Sequence, residues 1–181
     1  MIYIYYNKSN KLIKRNISNT KIENSKDFQY QYAQAILNSS VIKYYFNELM
    51  YDGTHFYPNH MKVLPLKKTN NESQNICSVI TKYNYFLELS ANKLLFDFFS
   101  QLSDSFIFEL YFPTEIKSAG KEILKHLGDL KPITDDMSEE EKLAIIQSEF
   151  ERLYDTNHPV RFAIETLDSV EEVRIIKEAL K

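Results

Sequence analysis

Lys8, Lys11, Lys14 and Arg15, then Lys43, then His55, Tyr57, Asn59 and Lys62 bring cations, an imidazole, a phenol and an amide into the first 62 residues. Ammonium and guanidinium groups bind phosphate oxygens, aromatic rings stack on bases, and amide or imidazole side chains hydrogen-bond base edges. This is the chemistry of nucleic-acid contact. Residues 1–70 hold ten Lys and Arg against four Asp and Glu, a net of +6, while residues 71–181 hold twelve against twenty-one, a net of −9. The basic part also carries nine of the thirteen tyrosines and nine asparagines. An AT-rich coding sequence would enrich the same residue types, so counts alone do not carry the reading.

Other chemistries lack their residues. The three glycines stand at 53, 120 and 128, so neither a G-x-G-x-x-G nor a Walker loop can be written. G-x-S-x-G and H-E-x-x-H are both missing. Asp52, His55 and His60 share a loop, but their spacing is not that of a helical H-x-x-x-H pair and no cysteine joins them, which argues against a metal site. Glu115-Ile116-Lys117, with Asp104 upstream, spells the acid and E-x-K pattern of metal-dependent nucleases. That chemistry needs a strand, where alternate residues project together. The spacing of Ile116, Ala119 and Ile123 predicts a helix, on which positions i and i+2 point apart. Asp97, Asp104 and Glu109 then read as the solvated face of a long helix, and no cofactor is expected.

The elements that would position the basic residues follow from periodicity. Ile2 to Tyr6, a turn at Asn7–Asn10, and Lys11 to Ile17 predict a β-hairpin whose exposed face carries Lys8, Lys11, Lys14 and Arg15. The alternative role for those lysines is protection of a sheet edge. Asp27 can cap a helix from about Phe28 to Met50, followed by a polar and aromatic loop, 51–60, and a short strand, 61–66. A polar connector at 67–73 separates this from an apolar stripe with helical spacing from about Glu72 to Phe112, with a kink or break expected near Ser100–Ser105. Pro113 ends that run, Thr114 can cap a helix through His126, and Gly128 can terminate it. Capping boxes at Ser138–Glu141 and Ser169–Glu172 open two more helices, and Pro159 suits the first turn of a short one. The fold class expected is α+β, a hairpin and strand region packed with a helix and followed by a mostly helical bundle. Its two parts are 1–70, a basic recognition part, and 71–181, an acidic helical scaffold.

No run approaches the roughly 20 apolar residues of a membrane span. Cys77 is the single cysteine, expected to be a buried, inert thiol in a cytoplasmic protein.

Three phrases are more specific than composition. Ala35-Ile36-Leu37-Asn38-Ser39-Ser40 through Tyr44-Tyr45-Phe46, then Phe56-Tyr57-Pro58, then Lys62-Val63-Leu64-Pro65-Leu66, resemble the "LNS … FYF … FP … LPI" region of Eco57I/TaqI-like type II restriction-modification methyltransferases. Phe108-Glu109-Leu110-Tyr111-Phe112-Pro113, Asn157-His158-Pro159-Val160-Arg161 and the segment from Asp168 to Ile176 are similar to the helical tail of the same group. The resemblance implies a target-recognition region that contacts double-stranded DNA and works beside a methyltransferase or nuclease part of the same system. The N-P-P-Y motif, the glycine-rich cofactor loop and a nuclease core are missing from these 181 residues, so the reading is a non-enzymatic specificity fragment or split polypeptide. A helical protein–protein interaction or regulatory protein with no DNA role is the alternative.

Overall fold

The computed structural model of the chain describes residues 28–49, 64–90 and 92–181. Among these residues there is helix and no strand. The α+β expectation therefore gives way to a helical architecture. Residues 64–66, expected to end a strand, are irregular backbone, while the hairpin at 2–17 and the loop at 51–60 lie outside the described residues.

Helices α1 (Tyr30–Asn38) and α2 (Ser40–Leu49) replace the single helix expected from 28 to 50. The cause is Ser39, whose backbone is extended at φ −70° and ψ 156°. Its hydroxyl donates to the Ile36 carbonyl at 2.7 Å and accepts the Ile42 N–H at 3.3 Å, ending one helix and capping the next. Asp27 lies outside the described residues, and Gln29 stands at the α1 N-cap without a side-chain cap bond.

Helices α3 (Asn71–Glu88) and α4 (Lys93–Tyr111) divide the predicted 72–112 stripe, but at Leu89–Asn92 rather than near Ser100–Ser105. Asn92 caps α4 by accepting the Leu95 N–H at 3.3 Å, and the Ser90 hydroxyl closes α3 on the Leu87 carbonyl at 2.9 Å. Ser105, where a break was expected, donates back to Gln101 at 2.7 Å within an unbroken helix. A serine satisfied by the preceding turn leaves the helical ladder intact.

Helix α4 is the central element. Leu95, Phe98, Phe99, Leu102, Phe106, Ile107 and Phe108 are all buried, which takes up more than one face of the helix. Tyr83 and Phe99 meet edge to face at 5.1 Å, and Phe98 makes the same contact with Phe150 at 5.2 Å. The core runs without interruption from Tyr32, Ile36, Val41 and Ile42 into Cys77, Ile80 and the helices beyond. Cys77 is buried, as expected, and burial pushes its thiol up to about 12.

Helix α5 (Pro113–Ser118) is shorter than the predicted 114–126 helix because Gly120, at φ +66°, takes the left-handed position that stops it. The Lys121 N–H returns to the Ile116 carbonyl and the Gly120 N–H to Lys117, both at 3.0 Å, which is the Schellman pattern. Turn α6 (Leu124–Leu127) ends at Gly128. Helix α7 (Glu139–Leu153) opens on the expected reciprocal box between Ser138 and Glu141, and α8 (Pro159–Glu165) has proline in its first turn. The second expected box does not form. Ser169 is consumed by a 3₁₀ turn, Leu167–Ser169, so Val170 stands at the N-cap of α9 (Glu171–Ala179) without a side-chain bond.

Candidate nucleic-acid interface

Of the residues expected to contact DNA, Lys43 alone lies among the described residues; Lys8, Lys11, Lys14, Arg15, His55, Tyr57, Asn59 and Lys62 lie outside them. Lys43 is exposed, one turn into α2. The start of that helix is held from 64 residues away, by a 2.8 Å bond from the Ser40 N–H to Asp104 Oδ1. Asp104 is thus not part of a solvated face. Burial pushes its carboxyl above the usual carboxylate range, ahead of the Ser40 bonds and the charges of Lys43 and Lys177, which pull it down.

The chain on either side of the basic segments is tied down by side-chain hydrogen bonds that periodicity does not reveal. At residue 29, the Gln29 N–H donates to Gln74 Oε1 at 2.7 Å, its amide donates to Asn75 Oδ1, and its Oε1 accepts the Ser78 hydroxyl at 2.8 Å. At residues 64–67, a tight turn around Pro65 brings the Leu66 N–H to the Leu64 carbonyl at 2.8 Å. The Tyr111 hydroxyl donates to the Pro65 carbonyl and accepts the Lys67 N–H, and the Tyr32 hydroxyl donates to the Lys67 carbonyl at 2.6 Å. Gln74, almost fully buried, joins the two anchors, because its amide also donates to the Thr69 carbonyl at 3.1 Å. Burial raises both phenols above their ordinary value, so Tyr32 and Tyr111 serve as neutral donors.

These bonds bring phrases distant in sequence together. Leu64-Pro65-Leu66 is strapped to Tyr111 of the Phe108–Pro113 phrase, and Ser39-Ser40 of the first phrase meets Asp104 one turn before it. Glu109, in the same phrase, accepts the N–H groups of Ile123 and Leu124 at 2.7 and 3.0 Å. Of the three acids read as a solvated face, Asp97 is exposed, while Asp104 and Glu109 hold backbone of other elements.

Glu115 and Lys117 sit on α5, a helix as expected, where no strand brings them together. Among the described residues no three His, Cys, Asp or Glu side chains are grouped to hold a metal ion, and no helix is long and apolar enough to cross a membrane. Set against protein-family models, curated proteins and solved structures, the chain matches none of them.

Proposed function

We propose that this chain is a sequence-specific DNA-recognition module of a type II restriction-modification system, acting beside a methyltransferase or nuclease part. The observation that carries the reading is the charge division, +6 over residues 1–70 with the tyrosines and asparagines concentrated there, against −9 over residues 71–181. Phosphate neutralisation requires the first and is opposed by the second. The order of the resembling phrases supports the same reading. So does the rigidity of the frame, since binding loops work when their ends are fixed on packed elements, and Gln74 and Tyr32 fix residues 29 and 67.

A second reading, a helical module that docks on a protein, is favoured by Leu89 and Leu94, which are 78% and 62% exposed at the corner between α3 and α4. Charge reversal separates the two. Replacing Lys14, Arg15 and Lys62 by glutamate abolishes duplex binding if the module reads DNA, whereas the docking reading predicts that Leu89→Ser with Leu94→Ser removes the activity and the charge reversal leaves it intact.

A further inference from the structure

Lys177 of α9 and Asp104 of α4 line one partly open cavity of about 40 Å³, together with Gln101, Ser105, Phe108, Ile164 and Leu167. That is room for water. The Lys177 ammonium is bonded elsewhere, to Asp168 in the 3₁₀ turn, and this carboxylate is 66% exposed. An ion pair with one partner in solvent is weak and readily exchanged. Across the cavity stands the half-buried Asp104 carboxylate, with one oxygen bonded to Ser40. The charged groups that act on it are Lys43 from α2 and Lys177 from α9, while its own helix offers no further charge at the cavity wall, only Gln101, Ser105 and Phe108.

We propose that Lys177 is shared between two carboxylates, held by Asp168 while Asp104 carries a proton and drawn across the cavity when that proton leaves to solvent. The consequence is mechanical. Ionisation of one half-buried acid transfers the grip of α9 from the exposed 3₁₀ turn to the corner at Ser40, from which α2 and Lys43 extend. Burial, which disfavours the charged form of Asp104, keeps the protonated state populated above the usual carboxylate range and gives the exchange its two states. The arrangement is independent of whether the chain binds DNA.

Carboxyl and ammonium NMR titrations of the full chain test it. The Lys177 Nζ resonance should move with the Asp104 midpoint, and that movement should be lost in Asp104→Asn. Asp168→Asn frees the lysine and should lower the Asp104 midpoint, while Lys177→Met should raise it. These two substitutions touch side chains in contact with solvent, so they report even where Asp104→Asn fails to fold. An Asp104 midpoint unchanged by both Asp168→Asn and Lys177→Met overturns the proposal.

Discussion

Glu109→Ala removes one side chain and leaves two backbone donors without their acceptor. Glu109 Oε2 takes the N–H groups of Ile123 and Leu124 at 2.7 and 3.0 Å, at the start of the α6 turn. Ile123 is 1% exposed, so water cannot replace its lost bond cheaply, whereas Leu124 is half-buried and can recover part of the loss. Hydrogen bonds to a charged group contribute about 1.5–3 kcal/mol each, and an unsatisfied buried donor costs a similar amount. Crediting the first in full and the second in part gives a destabilisation of roughly 2–4 kcal/mol. For a domain of this size that lowers Tm by about 5–15 °C. Glu109→Gln keeps a carbonyl oxygen at the same reach and should lose less than half as much. It should also flatten part of the pH dependence. Burial raises the Glu109 pKa in the folded protein, so this group contributes stability below the unfolded carboxylate pKa that is lost as pH rises through the folded value. Thermal and urea unfolding of the three proteins decide the matter. Ala equal to wild type, or Gln as damaging as Ala, would refute the assignment of Glu109 as the acceptor that fixes this turn.

Gly128 has φ +61° and ψ −164°, a backbone region open essentially to glycine alone, while the nearest atom to an added Cβ is Arg152 Nη1 at an ordinary 3.8 Å. Gly128→Ala should therefore cost about 1–3 kcal/mol through strain, and Gly128→Asn should give no rescue, in urea melts. Gln74→Leu keeps the volume but cuts the bonds to Gln29 and Thr69. Hydrogen exchange at the backbone amides of residues 29 and 66–69 should accelerate at least tenfold, with exchange in α7 unchanged. His158 accepts the Val160 N–H at Nδ1, and burial with Arg152 nearby holds its pKa below 6.5. Protonation turns that acceptor into a donor, so its contribution is present above pH 6.5 and lost as pH falls through the lowered folded value. The difference between wild type and His158→Asn, which keeps an acceptor, should grow as pH falls from 8 through the lowered folded value in denaturant titrations.

Local rules recovered what local bonds decide. Ser138 and Glu141 form their box because both partners lie within one turn, and Pro159 opens α8 for the same reason. The helix break at Ser39 was missed, because the apolar stripe's periodicity runs through Asn38-Ser39-Ser40 and conceals its cap chemistry. Ser100–Ser105 misled in the opposite direction, because serine composition does not reveal whether a hydroxyl competes with the helix or bonds within it. What no local pattern could reveal is Asp104 reaching Ser40, Glu109 reaching Ile123, and Gln74 holding residues 29 and 69. Each is a polar residue on a helix whose partner is set only when the helices pack. Of the candidate interface, the sequence supplied the cations and their order, and the structure supplied the frame from which Lys43 projects.

The measurement closest to the central proposal is the affinity of the full chain for duplex DNA as a function of salt. Neutralising four to six phosphates predicts that log K falls with log salt at a slope of roughly −4 to −5, read by fluorescence anisotropy on a labelled duplex pool. It further predicts that the pool retained at the highest salt is enriched in one short sequence. A salt-independent interaction, or no interaction with duplex at low ionic strength, would contradict it.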